Sequence, residues 1–159
     1  MTTSSILIFL GFLLFSALIA SSGIVFRPGA WYQSLRKPAW TPPNRAFPIV
    51  WTILYILIAV SGWLVWREAG FMLIPFGLFL VQMILNFLWS MLFFGRRRPD
   101  LAFLDIALLV IAVALNILAF WPFSRTAALL LLPYLAWVLV ASALNLSVWR
   151  LNRDRGLFA

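Results

Sequence analysis

The chain has 159 residues, 65% of them hydrophobic and only 10% charged. A soluble domain of this length carries about a quarter of its residues charged, so the composition excludes an ordinary soluble fold and places the chain in a bilayer. The 12 Lys and Arg outnumber the 4 Asp and Glu, but they fall between long apolar runs, which argues for topology and headgroup contacts and against nucleic acid as partner.

The first apolar run lies near residues 5–26. Its leader, MTTSS, has no Lys or Arg, and the run is long enough to span, so it reads as a retained span and not as a signal peptide. The connection from about 27 to 45 reads RPGAWYQSLRKPAWTPPNR. Its prolines predict a stiff, extended path. Trp31, Tyr32 and Trp40 are costly to leave in water, so the segment is either an interfacial strip or a lid folded over a cavity. Further runs lie near 46–66, 71–94, 101–121 and 126–149, separated by turns at Gly70, at Gly95 and Pro99, and at Pro122. Each run is close to the roughly 20 residues that cross about 30 Å of hydrocarbon as a helix. None shows the short alternation of a membrane barrel. The expected fold is all-α, a single five-helix transmembrane domain over 1–159.

Basic residues predict the orientation. Arg27, Arg36, Lys37, Arg45, Arg96, Arg97, Arg98, Arg150, Arg153 and Arg155 fall on one side, and Arg67 and Arg125 on the other. The richer side is expected to be cytoplasmic, which puts the N-terminus out and the C-terminus in.

Polar residues within the spans are few. Gln82, Asn86, Trp89 and Phe93 form one stripe on the third span. Tyr134, Trp137, Ala141 and Asn145 form another on the fifth, and Trp51 and Tyr55 sit one turn apart on the second. All three stripes fall in the half of the membrane next to the long connection. They predict an aromatic cavity with a few amides, suited to a flat hydrophobic ligand with a polar edge. Asn116 is expected to bond a neighbouring helix. Trp63, Trp66, Trp121 and Trp149 are placed in interfacial belts. Asp105, one turn inside its span, is expected to pair with an arginine of the 96–98 cluster or to cap a polar network. The chain has no Cys and no His, which removes disulfides, thiol nucleophiles, histidine bases and the commonest metal ligand. No metal site and no required cofactor are expected.

The stretches WYQSLRKPAWTPPNRAFPIVWTILY, QMILNFLWSMLFFG and LPYLAWVLVASALNLSVWRLN carry the combination KPxWxPP, FxxVWTxLY, NxxW and PYLxW. In these the chain resembles the tryptophan-rich sensory protein and translocator protein family, which includes the mitochondrial peripheral benzodiazepine receptor. The resemblance implies a five-helix bundle, often a homodimer, whose pocket is closed by the first loop. It implies porphyrins such as protoporphyrin IX, haem, sterols and benzodiazepine-site drugs as ligands. By motif match Trp51, Asn86, Trp89, Trp137, Ala141 and Leu144 line that pocket, with Tyr32 and Pro42 reaching it from the loop. Arg36, Lys37 and Arg45 are expected to orient porphyrin propionates. A cholesterol-recognition pattern found at the end of the fifth span in vertebrate members is broken here by Leu146. The third span has no clean small-xxx-small pair. Two functions follow: a tetrapyrrole-binding protein that senses or transports its ligand in a bacterial inner membrane, or an enzyme of light-dependent porphyrin breakdown with Trp51 and Trp137 as electron donors. A small channel or transporter is a weaker reading, because no internal repeat is visible.

Overall fold

The structure, a computed structural model, describes residues 2–158. Among them no residue is in a strand. Helices α1 (Thr3–Ala20) and α2 (Ser22–Val25) make the first span, and a short helix α3 (Ala30–Ser34) lies in the long connection. Then come α4 (Ala46–Ala69), α5 (Leu73–Ser90) with a π-helical turn at Met91–Gly95, and α6 (Pro99–Phe120). Helices α7 (Arg125–Leu130) and α8 (Leu132–Asn152) make the last span, closed by a 3-10 turn at Arg153–Arg155. Five stretches are long and apolar enough to cross a membrane: Thr3–Val25, Ala46–Ala69, Leu73–Gly95, Pro99–Phe120 and Arg125–Arg155. The all-α, five-span expectation holds.

Local chemistry explains the helix boundaries. Pro48, Pro75, Pro99 and Pro133 all stand in the first turn of their helices, where a missing N–H costs nothing and the fixed φ favours helix. Pro133 also interrupts the last span, since its ring cannot follow α7 without a break, and the chain turns at Leu131. Gly70 closes α4 with φ of 70° and donates its N–H to Trp66 O at 2.7 Å. That left-handed backbone favours glycine. The connection departs from the extended path its prolines predict: the proline-free stretch Ala30–Ser34 coils into α3.

The bundle runs α1, α4, then α7 with α8, α6 and α5 around its perimeter. Antiparallel register between α5 and α6 is fixed by Asn116, whose amide donates to Pro75 O at 3.0 Å, the helix-to-helix bond expected for it. At the end away from the long connection α4, α5, α6 and α7 are tied together, while a groove of about 420 Å3 lined by Leu7, Phe12, Phe15, Trp66 and Phe71 opens between α1, α4 and α5. Ser61 Oγ donates to Ala127 O at 2.8 Å between α4 and α7, and Phe76, Phe79 and Phe120 stack across α5 and α6. Trp63, placed in a belt from the sequence, uses its indole N–H on Ser5 of α1, at 3.2 Å to the carbonyl. Past the break at Leu131, α8 makes few contacts with α4, and space opens at the loop end.

The α1–α4 contact depends on one small residue. A Cβ added at Gly62 meets Phe12 at 2.7 Å, and Phe12 is itself wedged against Phe76 and Phe79. Gly62→Val should therefore cost about 1–3 kcal/mol by overpacking. It should lower the melting midpoint in detergent. Gly11→Val, where nothing lies within 4 Å, should leave that midpoint unchanged.

Candidate functional site: an aromatic cavity under the first loop

A cavity of about 350 Å3 lies at the loop end of the bundle. One wall is the start of α4, where Phe47, Pro48 and Trp51 face inward; Phe47 extends the Trp51–Tyr55 stripe by one turn. The opposite wall is Trp89, Ser90 and Phe94 at the end of α5. Gly23 and Phe26 close the side, and Pro28, Tyr32, Gln33 and Asn44 of the connection form the roof. An adjoining space of about 370 Å3 shares Gly23, Pro48, Trp51 and Ser90 and reaches Tyr55 and Asn86. Volumes in this range suit a small organic ligand.

The π-helical turn shapes the α5 wall. Its wider ring lets Trp89, Phe93 and Phe94 all turn toward the loop: Phe93 and Phe94 pack at 4.9 Å, and Tyr32 lies 5.5 Å from Phe94. Turns of this kind recur at functional sites. Gly95 ends the turn so close to Phe26 that an added Cβ would meet its ring at 2.8 Å.

Beneath the cavity a hydrogen-bonded node joins three helices. Tyr55 of α4 donates to Asn86 Oδ1, and Asn86 Nδ2 donates to the Tyr134 hydroxyl of α8 at 3.0 Å. All three side chains are buried. Asn145 is committed in the same way: its Oδ1 accepts from Trp89 Nε1 at 3.0 Å and its Nδ2 donates to Pro99 O at 2.7 Å. These amides hold the aromatic walls in place, and the polar groups left to a ligand include Gln33, Asn44, Ser90, the Tyr32 hydroxyl and the Trp51 indole N–H.

The remaining expected site residues are dispersed. Phe93, Ala141, Leu144 and Asn145 line a recess of about 20 Å3 behind Tyr32, Phe47 and Trp89. Gln82 lies deeper than Asn86, sealed in helix packing with both polar side-chain atoms unpartnered. Trp137 is not a cavity wall. It packs edge-on against Phe47 at 5.8 Å and lines an outward groove with Val50, Leu54 and Val140, because Phe47 takes the inner position. Pro42 is half-buried in the connection, and Pro28 and Asn44 take the roof positions. Arg36 and Arg45 are exposed at the loop end. Lys37 sets its ammonium 4.3 Å from the Tyr32 ring centre, and burial pulls its pKa below the usual lysine value. Asp105 does not pair with the 96–98 cluster: Arg98 is held by Asp100 at 2.9 and 2.6 Å, and Asp105 Oδ2 is buried without a partner. The sequence signal for Phe47 is its place four residues before Trp51. The signal for Phe94 is its place eight residues after Asn86, with the cavity-lining Ser90 between them.

A five-span helical bundle with an aromatic cavity roofed by its first loop defines a class of membrane protein. The TspO/MBR family model matches residues 5–150, and the chain belongs to that family. It is 40% identical over 153 residues to protein CrtK of Rhodobacter capsulatus, covering 93% of this chain and 94% of that one. It is 47% identical over 124 residues to the tryptophan-rich protein TspO of Archaeoglobus fulgidus, covering 77% and 80%. To the translocator protein of Homo sapiens it is 40% identical over 126 residues, covering 77% and 75%. It is an integral, multi-pass membrane protein.

The recess behind the cavity is too small for added bulk. Ala141→Thr must push on Phe47 or Trp89, which also wall the main cavity. The expected cost is about 1–3 kcal/mol. It should appear as weaker quenching of tryptophan fluorescence when protoporphyrin IX is added, with the helical circular dichroism unchanged.

Proposed function

We propose that this protein binds tetrapyrroles in the loop-end cavity and serves as a sensor or carrier of them in a bacterial inner membrane. The observation that carries this reading is the pair of facing aromatic walls, Phe47 and Trp51 against Trp89 and Phe94, under a roof made by Tyr32. A flat conjugated ring gains by stacking on such walls, and the ring faces are apolar enough to favour burial. Propionates project toward the roof, where Arg36 and Arg45 are exposed. Exposed ion pairs contribute at most about 1 kcal/mol each, so stacking dominates affinity and the arginines orient the ligand. A metal-free ring suits the site better than haem. The chain has no His or Cys to ligate iron, and of the tyrosines at the cavity Tyr55 has its hydroxyl turned to Asn86, which leaves Tyr32 alone as a ligand. Sterols and drug-like molecules are further candidates through family membership. A homodimer is proposed on the same ground. The basic loop end faces the cytoplasm in this reading, and a periplasm-specific reporter fused after Phe158 should be inactive; activity there would reverse the orientation.

A second reading, light-driven porphyrin breakdown, is favoured by one contact. Trp51 stacks on Tyr55 with ring centres 5.5 Å apart and planes 30° apart, which places a second oxidisable ring behind the one that meets the ligand. Titration of the purified protein with protoporphyrin IX, in the dark and under illumination, tests both readings. Trp51→Phe should keep most of the dark binding, because Phe stacks as well, and should slow any photoproduct. If wild type shows no saturable quenching, the binding reading fails. If Trp51→Phe forms photoproduct at the wild-type rate, the second reading fails.

A further inference from the structure

The loop that roofs the cavity is held from outside the cavity. Asn152, at the end of α8, is fully buried. Its side-chain amide pairs in both directions with one residue of the loop: Arg36 N–H donates to Asn152 Oδ1 at 2.9 Å, and Asn152 Nδ2 donates to Arg36 O at 2.8 Å. This is how one peptide group pairs with another in a β-ladder, and it fixes the loop backbone in position and in orientation. Asn152 is held in turn by Val148 O, which accepts from Nδ2 at 2.8 Å.

The segment after Asn152 adds to the grip. Arg155 donates from Nη1 to Ser34 O at 3.1 Å and to Asn152 Oδ1 at 2.9 Å. Trp31 donates its indole N–H to Leu157 O at 2.8 Å. Leu157 and Phe158 pack on the cluster formed by Tyr32, Leu35 and Phe93. Among the described residues, every hydrogen bond that residues 29–37 make outside their own segment ends on Asn152, Arg155 or Leu157. The roof's fixed points are therefore on the tail, and its apolar face alone rests on the cavity walls.

We propose that residues 152–158 form a latch that keeps the first loop closed, with Asn152 as its positioning residue. Tyr32 is drawn into the roof because Trp31 and Arg36, on either side of it, are both tied to the tail. Opening the cavity at this end requires Arg36 to leave Asn152, exchanging a partly buried amide pair for water. An isolated loop of this length opens readily, and the latch sets how often it does. The inference concerns the loop itself and holds whatever ligand the cavity takes.

The test uses the ligand-free, detergent-solubilised protein. Hydrogen exchange at the Arg36 amide reports the loop leaving its seat, and the initial rate of trypsin cutting at the Arg36–Lys37 bond, read before the exposed Arg153 and Arg155 are cut, reports the same event. Asn152→Leu keeps the size of the side chain and removes both bonds to Arg36. It should speed cutting at Arg36 by about tenfold or more, since both hydrogen bonds that seat the loop backbone are lost. Cutting at Arg67 and Arg125 should stay at the wild-type rate. Unchanged cutting at Arg36 in a folded Asn152→Leu protein overturns the proposal. So does an equal rise at all three arginines, which marks general loosening. If Asn152→Leu does not fold, the chain truncated after Arg155 decides, because it loses the Trp31 acceptor and the Leu157 and Phe158 packing: faster cutting at Arg36 supports the latch and an unchanged rate overturns it. A parallel measurement of protoporphyrin release separates the two claims. Absence of porphyrin binding by wild type defeats the ligand reading and leaves the cleavage result standing.

Discussion

A polar side chain inside a bilayer has no water to turn to, and the loop-end half of this protein is organised by how its amides meet that constraint. Asn86 joins Tyr55 and Tyr134, and so joins α5 to α4 and α8. Asn145 joins Trp89 to Pro99, and so joins α8 to α5 and to the start of α6. Each bond is modest in net terms, but an unpaired buried partner costs more than the bond returns. The pairs hold the helices at the spacing that leaves a cavity between α4 and α5 and keep the Trp89 indole from turning out of its wall. Beside them stand Gln82 and Asp105, buried with unpartnered atoms. Among the described residues neither finds a hydrogen-bond partner for those atoms.

The loop-end cavity exists because the last span is tied to α4 at the far end, through α7, and α8 parts from α4 toward the loop. Phenylalanine stacking and the Ser61–Ala127 bond draw the far end together. The break at Leu131 then lets α8 diverge from α4 toward the loop end. The first connection fills the gap, and two features restrain it. Its prolines restrict the backbone, and Asn152 and Leu157 hold it at separate points. Rigidity in a roof has a thermodynamic use: a ligand that enters a preformed site loses less of its binding energy to ordering the protein.

The fold was legible in the sequence because a bilayer permits little else for five apolar runs of spanning length. Trp51, Tyr55, Asn86 and Trp89 were also legible, since helical periodicity on a straight span assigns a face reliably. Periodicity failed where the helix is not regular. The π turn at Met91–Gly95 lets Phe93 and Phe94 both pack toward the loop, where a regular helix would set them about 100° apart. The break at Leu131 and the bulk of Phe47 turn Trp137 into an outward groove. The partners of the amides were illegible for a different reason. A stripe shows which side of a helix an asparagine faces, but not whether the neighbouring helix or a ligand takes its hydrogen bonds. Here neighbouring helices take those of Asn86 and Asn145. Asn152 carried no signal at all, since its partner is 116 residues away.

The central claim is that a flat ligand lies between the α4 and α5 walls at the loop end. The nine tryptophans are spread over both ends of the bundle and both sides of its wall, so each can report separately. Fluorine NMR of protein labelled with 5-fluorotryptophan, assigned by single Trp→Phe variants and titrated with protoporphyrin IX, tests the claim most directly. The account predicts large ring-current shifts at Trp51 and Trp89, with Trp63, Trp66 and Trp121 unmoved. Shifts confined to Trp63, Trp66 and Trp121, or to Trp137 in its outward groove, would contradict it.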